Sequence, residues 1–126
     1  MKHLLFIALG GAGGALARHW LSMLVHSGVG SHFPWGTLFV NALGSFAIGI
    51  AFVLIVERGV IHPDWRSITM IGFLGAFTTF STFSLEALAL YENGQHGLAL
   101  AYIGSSVLLC LLAVWAGVAL LRLFIA

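Results

Sequence analysis

Formal charge is scarce in this chain: five basic and four acidic residues are spread over 126 positions, 7% of the total. A soluble domain carries roughly 25% charged residues. With 60% hydrophobic residues, this chain has too little polar surface to face water, so lipid must be its solvent. The net charge of +1, with no cluster of Lys or Arg, leaves no field for nucleic acid. The single cysteine, Cys110, lies in an apolar run and excludes an intrachain disulfide. Of the acids Glu57, Asp64, Glu86 and Glu92, only Glu86 falls near an apolar span. Nothing pairs with a Ser or Cys as a nucleophile's base, and no ATP motif is present, so enzymatic chemistry lacks its parts. The six histidines, His3, His19, His26, His32, His62 and His96, show no i,i+4 pair, which speaks against a metal site by ligand spacing.

What is present is apolar length. A spanning helix needs about 20 mostly apolar residues, and four such helices with short loops fit residues 1–126 as one transmembrane domain. The expected spans are 3–25, 37–56, 67–91 and 98–121. Turns at 26–36, 57–66 and 92–97 carry the Gly, Pro and Asp punctuation, including Pro63 and Asp64. Trp20, Phe33, Trp35 and Trp65 flank the spans as an interfacial belt. In the first span Gly10 and Gly14 form a GxxxG pair, with Gly11 and Gly13 beside them, a surface on which helix backbones can touch. These glycines also argue against reading MKHLLFIALGGAGGALA as a secretory signal, because they interrupt its apolar core. Lys2, Arg58, Arg66 and Arg122 fall at one membrane face and at most Arg18 at the other; the positive-inside rule then puts both termini in the cytoplasm.

The third span is the unusual one. GAFTTFSTFS, residues 75–84, packs five hydroxyl side chains and three phenylalanines into ten positions. On a continuous helix Phe80, Phe83 and Ser84 share one face, and Thr78, Ser81 and Thr82 cluster opposite. Gly72, Gly75 and the adjacent threonines weaken the helix there. Non-helical backbone at membrane depth is tolerated only where protein buries it or it lines a wet cavity. A break exposes carbonyl oxygens that suit a hard cation and N–H groups that suit an anion. Phenyl ring edges are electropositive, so an anion can rest weakly against them and still leave. Asn41 in the second span, with Ser45 one turn away, offers a stronger donor. The plainer reading is packing: membrane Ser and Thr hydroxyls commonly bond across helices, worth about 0.6–2 kcal/mol.

GFLGAFTTFSTF at 72–83 resembles the signature of the small bacterial fluoride channels, the Fluc or CrcB family. The resemblance extends along the chain through Gly14–Arg18 and WGTLFVNALGSF at 35–46. It implies an all-α membrane protein with four spans, the third broken near its middle, assembling as an antiparallel, dual-topology homodimer with two fluoride pores. It implies that Phe80 and Phe83 turn their ring edges to fluoride and that Asn41 is the pore amide. Thr37, Tyr102 and Ser106 fall on a polar track, joined by the hydroxyls of Ser81, Thr82 and Ser84; Arg18 lies near the pore entrance and Glu86 near a vestibule. Main-chain carbonyls of Gly75 and Thr78 would hold a structural sodium ion at the dimer centre. Localisation to a bacterial inner membrane and passive export of cytoplasmic fluoride, conferring fluoride resistance, complete the expectation. Two features depart from the pattern: Cys110 stands where a further hydroxyl is expected, and the Lys/Arg bias is larger than even dual insertion would give.

Two other classes compete. A dual-topology proton-coupled exporter of organic cations also has four spans, but needs a carboxylate in the first; this first span has none and carries Arg18. A non-transporting membrane subunit would explain the glycines as packing and leave the Thr/Ser/Phe cluster unused.

Overall fold

In lipid an apolar run can satisfy its backbone within one segment only as a helix, and helices are what this chain forms. The computed structural model describes residues 1–29 and 32–125. Helix α1 (Lys2–Val29) leads to α2 (Trp35–Ala51), which continues as π-helical Phe52–Glu57. The third span begins as π-helical Arg66–Leu74 and runs into Gly75–Phe77, together α3; α4 (Phe80–Glu92) follows after a break, and α5 (His96–Phe124) ends the bundle. Among the described residues, four helical stretches are long and apolar enough to cross a membrane: Lys2–Val29, Trp35–Glu57, Arg66–Glu92 and His96–Phe124. All four expected spans are therefore present, each slightly longer than the apolar pattern alone suggested. The turn expected over 26–36 is shortened because α1 continues to Val29, and Gly30 and Ser31 lie outside the described residues.

Helix α2 packs mainly on α5, and α1 packs mainly on α3. The α1–α3 contact is where the GxxxG pair acts. Gly10 and Gly14 are buried, and a Cβ on Gly14 would overlap the Phe73 carbonyl of α3. At Gly13 the nearest atom to an added Cβ is a Phe73 ring carbon at 3.5 Å, an ordinary contact. Gly14→Ala should therefore push α1 off α3 and destabilise the protein by about 1–3 kcal/mol, the usual range for overpacking, whereas Gly13→Ala should be tolerated. Thermal unfolding of the two variants in detergent checks this; equal losses would remove the close-approach explanation.

A second cluster joins α2, α4 and α5: Leu38, Phe83, Ala87, Leu90, Ala99 and Tyr102, with Phe33 packed against it. Polar contacts tie one end of the bundle together. Lys2 Nζ donates to Asp64 Oδ2 at 3.0 Å, His3 Nδ1 and Ser67 Oγ are 3.0 Å apart, and Arg122 Nε donates to Glu57 Oε2 at 3.0 Å. The hydrogen bond from Lys2 holds the Asp64 carboxyl below its ordinary value, though both groups are exposed and such a pair adds little stability.

Candidate functional site

The site grows from the interruption of the third span. The α-helix stops at Phe77; Thr78 is extended at φ −87°, ψ 158°, and Thr79 at φ −150°, ψ 118°, before α4 starts at Phe80. Gly75 itself is helical, at φ −60°, ψ −37°. The break thus falls at the two threonines rather than at the glycine, in keeping with the tendency of Thr side chains to bond nearby backbone. Thr78 Oγ1 donates to Leu74 O at 3.1 Å. Thr79 caps α4, its Oγ1 accepting from the Thr82 amide at 3.2 Å. Such a cap satisfies one of the orphan donors at a helix start.

Asn41, reaching across from α2, holds the extended backbone in place. Thr79 N–H donates to Asn41 Oδ1 at 2.7 Å, and Asn41 Nδ2 donates to Thr79 O at 3.0 Å. One amide side chain replaces both partners that a continuous helix would have given Thr79. Arg18 acts similarly from α1, its Nε donating to Ala76 O at 3.0 Å. In a continuous helix the carbonyls of Gly75 and Thr78 would accept from the amides of Thr79 and Thr82. Those amides donate instead to Asn41 Oδ1 and Thr79 Oγ1. Carbonyl oxygens released in this way are the hard-oxygen donors that a small monovalent cation takes, so Gly75 and Thr78 fit the sodium expectation chemically.

Two cavities flank this break. One, of about 720 Å³, is lined by Arg18, Thr37, Thr79, Thr82 and Glu86 among others. The second, of about 420 Å³, is lined by Asn41, Ser45, Gly75, Thr78, Thr79, Phe80, Phe83, Ser106 and Cys110 together with apolar residues. Thr79 lines both. Aromatic rings and a hydroxyl pack beside them. Phe83 packs against Tyr102 with centroids 5.1 Å apart and against Phe80 at 5.4 Å. Tyr102, wholly buried, donates its hydroxyl to Glu86 Oε1 at 2.9 Å. Ser106 is buried, and its Oγ has no hydrogen-bond partner among the described residues. An unsatisfied buried hydroxyl costs free energy unless water or another polar group meets it.

The residues expected on a polar path do not all fall together. Arg18, Thr37, Thr82 and Glu86 line the larger cavity; Asn41, Phe80, Phe83 and Ser106 line the smaller; Tyr102 connects the two through Glu86 and Phe83. Ser81 and Ser84 are exposed and line neither cavity. Ser84 Oγ donates to Phe80 O at 2.9 Å, within its own helix, and Ser81 Oγ lies 3.2 Å from Thr79 Oγ1. Thr78 lines the same cavity as Phe80 and Phe83, not the opposite face that a continuous helix implied, because two extended residues reset the phase at the break. The family pattern assigns Thr79 no role, yet a hydroxyl three residues ahead of Thr82 at a helix start is a capping signal, and Thr79 lines both cavities. Cys110 does lie beside Ser106 in the smaller cavity.

Comparison with known proteins adds an independent line. Residues 5–118 match the family described as "CrcB-like protein, Camphor Resistance (CrcB)". A protein of Hahella chejuensis named "Fluoride-specific ion channel FluC" is 55% identical over 99% of this chain and 98% of its own length. A protein of the same name from Magnetococcus marinus is 51% identical over 94% of this chain and 96% of its own. A third, from Methylococcus capsulatus, is 51% identical over 92% of this chain, which spans 51% of that protein's length.

Proposed function

The chain belongs to the CrcB family, and from that membership and the two cavities that share Thr79 in their walls we infer that it is a fluoride-specific ion channel. It is a multi-pass membrane protein, not an enzyme. The cation-exporter alternative finds no support, in the relatives or in a first helix without a carboxylate. The single observation in the structure that carries the reading is the pinned break: Asn41 holds Thr79 extended between a polar cavity and one edged by Phe80 and Phe83.

The mechanism follows from those groups. HF crosses lipid uncharged and dissociates in a neutral cytoplasm, which traps fluoride. An open path lets the membrane potential expel the anion, at about 2.3 kcal/mol per charge per 100 mV. Arg18 and the Thr37 and Thr82 hydroxyls meet the ion in the larger cavity. In the smaller, Asn41, the unpartnered Ser106 hydroxyl and the ring edges of Phe80 and Phe83 replace part of its hydration. Weak ligands in series allow exit as well as capture. Rejection of chloride rests on donors spaced for the smaller ion.

A second copy in the opposite orientation would complete the walls and give two paths per dimer. Support comes from Phe80, 77% exposed on the isolated chain although it edges the smaller cavity. The freed carbonyls of Gly75 and Thr78 would hold a sodium ion where two copies meet, and that ion would supply fixed positive charge joining the two breaks. The setting consistent with this activity is a bacterial inner membrane. The deciding experiment is passive efflux from liposomes holding only the purified protein, read first with a fluoride and then with a chloride electrode. Rapid fluoride loss without chloride loss is expected; intact fluoride gradients across vesicles with verified inserted protein would remove the reading.

A further inference from the structure

Three imidazoles, those of His19 and His26 on α1 and of His32 beyond it, line the cavity of about 720 Å³, and nothing in the mechanism above uses them. The other charged groups lining that cavity are Arg18 from α1 and Glu86 from α4. What α2 and the turn before α5 contribute is uncharged, such as Thr37 and Asn93; Glu92 and His96 flank that turn in sequence without lining the cavity. With the imidazoles neutral, Arg18 and Glu86 cancel, and the mouth of an anion path has no net formal charge. Both are also engaged, Arg18 with Ala76 O and Glu86 with the Tyr102 hydroxyl. Among the described residues no His, Cys, Asp and Glu side chains converge as a metal-ligand set, so a divalent cation is not the guest these imidazoles suit.

We propose that His19, His26 and His32 form a proton-charged collecting site for small anions, drawing fluoride into the larger cavity when the facing solution is acidic; this rests on the fluoride reading of that cavity. Imidazole side chains ordinarily change charge between about pH 5 and 8. Full protonation takes the lining from no net charge to three positive charges. A cleft with low-dielectric walls focuses such charge and raises the local concentration of counter-ions. The sign is fixed: acid increases fluoride capture.

Fluoride current across planar bilayers tests this, since undissociated HF carries no current. With both chambers moved from about pH 7.5 to about pH 5.5, current through the wild-type protein should rise roughly twofold in about 0.1 M salt, where the Debye length is about 10 Å. It should rise several-fold at about 0.01 M, where that length is about 30 Å. In the triple variant His19→Gln, His26→Gln, His32→Gln the acid-to-neutral ratio should fall to near one. Glu86 is retained there, so the loss reports the imidazoles and not the carboxylate. His96→Gln should keep the wild-type ratio. A wild-type ratio near one at low salt, or a triple variant that keeps the rise, would overturn the proposal. If the triple variant fails to insert, the salt dependence of the wild-type ratio decides alone, and a ratio indifferent to salt counts against. Absence of current at either pH would overturn the fluoride reading together with this one; pH-indifferent current would overturn only this one.

Discussion

Asn41→Leu is expected to lower stability by about 2 kcal/mol, about 1 kcal/mol for each of two part-buried groups, and to remove most fluoride flux. The substitution would strand two backbone groups. Thr79 N–H and Thr79 O both bond to the Asn41 amide, at 2.7 Å and 3.0 Å. Leaving one fully buried polar group unpaired costs about 1–3 kcal/mol, and because both bonds are only part-buried each stranded group sits at the low end of that range. Leucine fills similar space, so the loss would be one of hydrogen bonds rather than of packing. The chain has one escape: Thr79 can turn helical and recover its bonds along the third span. That would heal the break, withdraw the Thr79 side chain from one of the two cavities it lines, and return the Thr79 and Thr82 amides to Gly75 and Thr78. Either route closes the path. Asn41→Asp separates the effects. It keeps an acceptor for Thr79 N–H but sets a carboxylate against Thr79 O and puts negative charge on an anion path, so flux should fall further than stability. Thermal unfolding in detergent and fluoride efflux from liposomes read the two quantities. Wild-type unfolding and wild-type flux in Asn41→Leu would show that the break is held by something else.

Much of this arrangement was legible in the chain, and the part that was not has physical reasons. Apolar run length alone locates four spans, because lipid forces each run into a helix. GxxxG at Gly10 and Gly14 names a close helix contact but not its partner; that α3 supplies it depends on how the helices are ordered around the bundle. The Gly75 to Ser84 composition announces a disturbed helix. Gly75 lowers helix propensity without breaking anything, while Thr78 and Thr79 carry the extended backbone because their hydroxyls and Asn41 supply replacement bonds. Face assignments made on a continuous helix then misplace Thr78, since each extended residue advances the chain without the 100° turn. The π-helical segments Phe52–Glu57 and Arg66–Leu74 leave no mark in composition: the same apolar residues serve i→i+4 and i→i+5 bonding. His19, His26 and His32 look scattered because their spacing along the chain matches no ligand motif, and only the cavity wall brings them together.

Phe80 and Phe83 are the residues on which the fluoride chemistry can be judged most sharply, because packing explains one and not the other. Phe83 is 7% exposed and belongs to the cluster with Leu38, Ala87, Leu90, Ala99 and Tyr102. Its removal to alanine would open a cavity costing about 3–5 kcal/mol, confounding any loss of flux. Phe80 is 77% exposed on the isolated chain, and although its ring meets that of Phe83, so large an exposed apolar side chain contributes little packing within the chain. Methionine is the informative replacement at both positions: similar in volume and apolar, it lacks the electropositive edge of a phenyl ring. At Phe83 a volume-conserving swap should cost less than about 1.5 kcal/mol, and at Phe80 within about 0.5 kcal/mol. Each variant should nevertheless lose at least about tenfold in fluoride efflux, equivalent to about 1.4 kcal/mol of lost interaction on the permeation path. Phe80→Met is the cleaner case, since its fold has almost nothing to lose. Should both methionine variants insert, unfold near the wild-type temperature and conduct fluoride at the wild-type rate, ring edges play no part in permeation. The path would then rest on Asn41, Ser106 and the threonine hydroxyls alone. Loss confined to Phe80→Met would instead mark the exposed ring as the ion's partner and leave Phe83 as its packing support, the ring against which Phe80 is held at 5.4 Å.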